Sequence, residues 1–201
     1  MQIPEQVTGK QSDNASSREM PDFASAAKLY EEAKLRLLLV DEWKKFAGFT
    51  SAVFTLHDAN GQNVTRKVTT GDFLRIDIPG PGTHAGKGYD WVRVIDIKET
   101  KEGHADALMM TVKPADDPTS DNSDTAHFFD EAATSTFIVK RISNIVEASV
   151  HGRNEKPNNN TSKVIDNIRN SMVASGAFGG FADIQWQSLT KGLLEQREEA
   201  R

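Results

Sequence analysis

The spacing of apolar residues changes period twice along the chain, and this constrains the fold more than any motif. From Phe23 to about Ala47, Ala26, Leu29, Ala33, Leu37, Val40 and Trp43 recur at helical spacing, with Lys28, Glu31, Glu32, Arg36 and Glu42 filling the remaining positions. Asp22 is placed to cap the start of that helix and Gly48 to end it. From Ala52 to His151 the period is two, interrupted by turn residues. Helical spacing returns after Asn158-Asn159-Asn160, first through Val164, Ile165, Ile168 and Met172, then through Trp186, Leu189 and Leu193. No helix separates consecutive strands, so the βαβ units of a parallel, doubly wound sheet are excluded.

The expected fold is therefore α+β. It consists of an antiparallel curved sheet or small barrel of about seven strands, preceded by one long helix over 23–47 and followed by two helices. The expected strands are Ala52–His57, a segment around Val64–Val68, Phe73–Ile78, Trp91–Ile97, Ala105–Lys113, Thr134–Arg141 and Ile145–His151. The first two are expected to pair as a hairpin through Asp58-Ala59-Asn60-Gly61. Residues 1–21 lack apolar periodicity and are expected to form a disordered polar tail, leaving 22–201 as a single α+β domain.

Composition removes several classes of function. Lys and Arg number 24 against 29 Asp and Glu, a net charge of -5, which disfavours nucleic acid or an anionic membrane as a partner of the whole chain. Cysteine is absent, so disulfides, thiolate nucleophiles and Cys-ligated zinc are excluded. The five histidines, His57, His84, His104, His127 and His151, fall in no metal-ligand spacing, so no metal and no cofactor are expected. The longest wholly apolar run is Leu37–Val40, too short for the roughly 20 residues of a membrane helix. Without an apolar leader at the start, the expected location is cytoplasmic.

Four groups of residues are candidates for a site. The Gly80–Gly88 loop offers His84 and Lys87 to an anion, but Pro81 and Gly88 depart from the phosphate-loop pattern, and a strand rather than a helix follows. Arg75 and Asp77 share one face of their strand, and Trp91 and Arg93 one face of the next, with Asp90 beside them. Two arginines and a ring suit a carboxylate or phosphate on a planar molecule. The competing expectation is a solvated face with cross-strand ion pairs, Arg75 with Asp96 or Arg93 with Asp77. His151, Arg153, Asn154 and Glu155 end the last strand, where His151 or Glu155 would act as a base and Arg153 would stabilise negative charge. His127, flanked by Phe128, is either a packed anchor or a titrating group.

Three functions follow as expectations. The first is a binding module for a small anionic or polar ligand held between sheet and helices. Its contacts would be Arg75, Asp77, His84, Lys87, Trp91, Arg93, Arg153 and Asn154. The second is a non-catalytic subunit that associates with itself or a partner protein through helix 23–47 or the last helix. The third is a metal-free acid–base enzyme, a hydrolase, isomerase or lyase, pairing His127 or His151 with Asp90 or Glu155.

Overall fold

The computed structural model describes residues 2–48, 52–78, 87–120, 126–158 and 179–196. In chain order the elements are strand β1 (Lys10–Glu19), helix α1 (Phe23–Leu38), a 3-10 turn (Val40–Glu42) and helix α2 (Trp43–Ala47). Strands β2 (Val53–His57), β3 (Phe73–Asp77), β4 (Asp90–Glu102), β5 (Ala105–Pro114), β6 (Thr134–Ile142) and β7 (Ile145–Glu155) follow, then helix α3 (Gly179–Leu193). The strands form one seven-stranded antiparallel sheet in the order β1-β7-β6-β5-β4-β3-β2. A bulge at Ile95, where the β4–β5 register shifts between Val94 and Asp96, adds local bend and twist.

Alternation along the strands sorts residues onto two faces. The inner face, against which the helices pack, carries Phe54 and Leu56 on β2, Leu74 and Ile76 on β3, and Val92 and Val94 on β4. It continues with Leu108, Met110 and Val112 on β5, Phe137 and Val139 on β6, and Val146, Ala148 and Val150 on β7. Helix α1 lays Ala26, Leu29, Tyr30, Ala33 and Leu37 on this surface, and α3 adds Leu189 and Leu193. Trp43 sits at the centre, 4.9 Å from the rings of both Phe54 and Phe137, and Trp186 of α3 completes the cluster at 5.4 Å from Phe137. The Trp43 indole N–H donates to the Leu37 carbonyl at 3.1 Å, so its one polar atom is satisfied.

Several expectations need correction. The single helix over 23–47 is broken after Leu38, because Leu39 takes φ -98° and ψ 71° and its N–H bonds back to Leu35 and Arg36. The apolar stripe continues across the break, which lets Val40 and Trp43 wrap around the core rather than run past it. The first 21 residues are not a disordered tail, since β1 pairs with β7 along its length. Its stability comes from backbone pairing and polar side-chain contacts rather than apolar burial, so its sequence carries no hydrophobic signal. The segment around Val64–Val68 is not a strand. It meets β2 through a bridge between His57 and Asn63 and through bonds from the Val64 N–H and the Asn63 side chain to the Leu56 carbonyl, and β2 pairs with β3 instead. Arg66 closes this segment with a two-pronged contact to Asp72 at 2.6 and 2.8 Å. The helix expected through Val164 and Met172 lies outside the described residues, as do residues 79–86 of the Gly/Pro loop.

Three outcomes are expected from this packing. Trp43→Ala removes the centre of the aromatic cluster and should cost about 3–5 kcal/mol in a denaturant titration. Asp22 accepts the Ser25 N–H at 2.7 Å as the α1 cap, so Asp22→Ala should cost about 1 kcal/mol in the same assay. Burial alone would raise the Asp72 carboxyl, but donors from Arg66 and Thr69 outweigh it and hold the group below the usual carboxylate range. Its contribution is therefore present above about pH 3.9 and lost as pH falls through the lower folded value. Asp72→Asn should flatten that part of the acid-unfolding curve.

Candidate functional site

The connections β3–β4, β5–β6 and β7–α3 all leave the same end of the sheet, and the inner face changes character there. One row deeper, Met110, Phe137, Val150 and Asn14 lie side by side across β5, β6, β7 and β1. The row nearest the loop end reads Val112, Ser135, Gly152 and Ser12. Three of those four side chains are small, so the space under the first half of α3 is left unfilled by the strands. Trp186 and Ser135 are only half-buried, whereas Phe137 and Leu189 on either side of the ring cluster are fully buried. The helix is held over this space by polar contacts to β1. Asn14 donates to Asp183 at 3.2 Å, Ser16 meets Thr190 at 2.9 Å, and Arg18 donates to the Leu194 carbonyl at 3.2 Å. On its other side Gly192 allows close approach to α2, since a Cβ there would lie 2.3 Å from the Phe46 carbonyl oxygen.

Glu155 turns into this unfilled row. Its carboxylate folds back over Gly152 and accepts a hydrogen bond from Ser12 Oγ at 3.2 Å. A Cβ on Gly152 would lie 2.0 Å from Glu155 Oε1, so glycine is what makes room for the carboxylate. Burial raises the Glu155 pKa, and Asp183 adds like-charge repulsion; Ser12, Arg153 and Lys10 oppose the shift without cancelling it. Asp90, also on the inner face by its pairing with Ile76, is buried at the start of β4. The inner loop end is thus floored by small strand residues, with half-buried Trp186 beside Phe137 and the carboxyl groups of Glu155 and Asp90 on the same side of the sheet.

The residues singled out from sequence are divided between the two faces. Arg75, Asp77, Trp91 and Arg93 do share a face, through the pairings Arg75 with Trp91 and Phe73 with Arg93. It is the outer face, turned away from the helices, so these four do not line a space between sheet and helices. Trp91 is buried there in a second, smaller cluster with Ala126, Phe73 and Tyr89, and its ring meets His57 edge-on at 5.0 Å. The expected ion pairs are not formed: Asp96 pairs with Lys98 at 2.7 Å, and neither arginine has a carboxylate partner among the described residues. Lys87 donates to the Thr119 carbonyl at 3.2 Å and lies 3.6 Å from Asp117. His84 lies outside the described residues.

At the end of β7, His151 faces outward and Glu155 inward, so the acid–base pairing expected of His151 with Glu155 or Asp90 is not formed. His151 is bound on both nitrogens, to Asp13 at 2.5 Å and Ser149 at 3.0 Å. Arg153 donates to Asp13 and to the carbonyls of Ser12 and Gly152, and it acts on Glu155 only as a nearby charge, with no hydrogen bond between them. Asn154, at φ 57°, accepts from the N–H groups of Val7 and Thr8 and ties down the chain before β1. His127 is stacked on Phe128 at 4.2 Å, and its Nδ1 accepts the Phe129 N–H, so it anchors the segment before β6. On α1, Phe23 and Leu35 are exposed, and Phe23 is packed against His104 and Arg141. Among the described residues no three His, Asp or Glu side chains gather as a metal site, and no helix is long and apolar enough to cross a membrane.

Sequence reasoning missed Ser12 as the partner of Glu155 and Ser135 as a member of the same row. Only Gly152, next to His151, carried a local signal. No protein-family model matches the chain, and no curated protein matches it in sequence. Among solved structures, a hypothetical protein from Helicobacter pylori is similar with a TM-score of 0.52 and 11% identity, over 93% of this chain and 87% of that one. A protein from Mycobacterium smegmatis is 14% identical with a TM-score of 0.41, over 94% and 93%. Truncated norcoclaurine synthase from Thalictrum flavum is 10% identical with a TM-score of 0.36, over 96% and 100%. At these identities the likeness carries the fold and nothing else: a seven-stranded antiparallel curved sheet with three helices among the described residues.

Proposed function

We propose that the chain is a binding module for a small molecule with an apolar, ring-containing body and a hydrogen-bond-donating head, an amine or a hydroxyl. The body lies against Trp186 and Phe137 under α3, and the head meets Glu155. The observation that carries this is the Glu155 carboxylate, turned inward over Gly152 beside half-buried Ser12 and Ser135, where the strands supply no bulk of their own. A half-buried carboxylate with one hydrogen bond among the described residues is poorly satisfied, and a donor from a ligand would stabilise it. The anionic version of the ligand expected from sequence is set aside for this space, because the cations it relied on lie elsewhere. Arg75 and Arg93 are on the outer face, Arg153 is engaged by Asp13, and Lys87 by Thr119 and Asp117. No observation favours the association or acid–base readings over this one.

Two measurements test the proposal. Burial raises the Glu155 carboxyl in the folded chain, so folding favours its protonated form more than the unfolded chain does. That contribution is complete below the unfolded value of about 4.3 and lost as pH rises through the folded value. Glu155→Gln keeps the acceptor for Ser12 and removes the charge; it should raise the melting temperature at neutral pH and leave it unchanged near pH 4. In the second test, benzylamine and benzoate are titrated while the Trp186 indole N–H is followed by NMR. Benzylamine should shift it saturably, and Glu155→Gln should weaken binding about tenfold, roughly 1.4 kcal/mol. Preference for benzoate, or benzylamine binding indifferent to Glu155→Gln, would refute the proposal.

A further inference from the structure

The outer face of β3, β4 and β5 holds cations that have no carboxylate partner among the described residues. Arg18, Arg36, Arg66, Arg141 and Arg153 each donate to carboxylate, amide or carbonyl oxygens. Arg75 reaches only Thr55 Oγ1, at 3.5 Å, and for Arg93 the structure gives a ring contact alone. Lys113 stands directly across from Arg93 in the β4–β5 register, and Arg75 is one step diagonal, across from Trp91. Like charges placed directly opposite on a sheet repel, and Asp77, two residues along from Arg75, pairs with neither arginine among the described residues. An antiparallel sheet surface would ordinarily relieve such a pair with an acid on a neighbouring strand.

The two guanidinium groups are also held in place. Arg75 lies over the Tyr89 ring at 4.3 Å and Arg93 over the Phe73 ring at 5.6 Å. A ring against the flat face of a guanidinium fixes its plane and leaves its N–H edge for an acceptor. Beneath them, Trp91 is buried, and its indole N–H has no acceptor. Ala126 packs against the ring, and the Trp91 backbone N–H donates to the Ala126 carbonyl at 2.6 Å.

We propose that Arg75, Arg93 and Lys113 form a second site, on the opposite side of the sheet from Glu155, that binds the phosphoryl group of a small phosphate ester. Three cations suit a dianion, and two planar forks suit its several oxygens. A net charge of -5 for the whole chain opposes a polyanion, so the occupant is a small ester rather than a nucleic acid. The site stands apart from the proposed function, since none of its residues is on the inner face.

The test follows the arginine Nε–H signals and the Trp91 indole N–H by NMR during titration with inorganic phosphate, phenyl phosphate and a thymidine octanucleotide at fixed ionic strength. Saturable shifts of Arg75 and Arg93 with either small phosphate are expected. Tighter binding of phenyl phosphate identifies an ester, and equal binding identifies free phosphate as sufficient. Arg93→Gln and Lys113→Gln should each weaken binding about tenfold. Without phosphate each variant should melt at a higher temperature than the parent chain, because it removes an unrelieved repulsion. Shifts that never saturate, binding retained in the Arg93→Gln/Lys113→Gln double variant, or a clear preference for the octanucleotide would overturn the proposal. Benzylamine binding at Trp186 should be unchanged in these variants, so failure of one site is distinguishable from failure of the other.

Discussion

The grip of α3 across the sheet is the constraint on which the rest of the structure depends. On one side the helix is tied to β1 by Asn14, Ser16 and Arg18; on the other, Leu189, Leu193 and Trp186 join the cluster of Trp43, Phe54 and Phe137. The polar tie and the apolar wedge act at different distances from the sheet edge, so together they fix the tilt of the helix as well as its contact. At one end of the inner face Arg141 is buried against Asp106 and beneath the Phe23 ring of α1. At the other, Ser12, Gly152 and Ser135 replace in one row the bulk that Met110, Phe137 and Val150 supply in the next.

The sheet consequently has two faces of opposite chemistry. Inward, at the loop end, the ionisable groups are acids: Glu155 and Asp183, with Asp90 at the start of β4. Outward, over β3 and β4, Arg75 and Arg93 are backed by aromatic rings and share the face with Asp77. A period of two brings this about with little sequence, since adjacent residues such as Asp90 and Trp91 fall on opposite sides. A slip of one residue in β4 would exchange the two chemistries, which is why the register is pinned on both faces, by Val92 and Val94 inside and Trp91 outside.

Much of this was legible in the sequence where apolar alternation marked it. The strands from Phe73 to His151, their hairpins and the late helix at Trp186, Leu189 and Leu193 all lie where the spacing places them. The number of strands also agrees, but through an exchange. Val64–Val68 has apolar residues without a strand partner, while β1 has a partner without apolar residues. An edge strand facing a polar helix surface needs hydrogen-bonding side chains at alternate positions, and Ser12, Asn14 and Ser16 are indistinguishable in sequence from a solvated tail. The break after Leu38 was hidden because the helical stripe continues in phase through Val40 and Trp43. The arginine, aspartate and tryptophan group was legible as one face but not as the outer one, because only the docking of α1 and α3 decides which face is inside. The contact of Glu155 with Ser12 spans 143 positions, beyond any local pattern.

The carboxyl of Glu155 gives the most direct test of the inner-face site. Its titration can be followed by carbon-13 NMR of the side-chain carboxyl, with and without benzylamine. A midpoint above the ordinary glutamate value of about 4.3, falling when benzylamine is added, is the expected result. A midpoint at or below that value, unmoved by the amine, would contradict a buried acid waiting at the open end of the sheet.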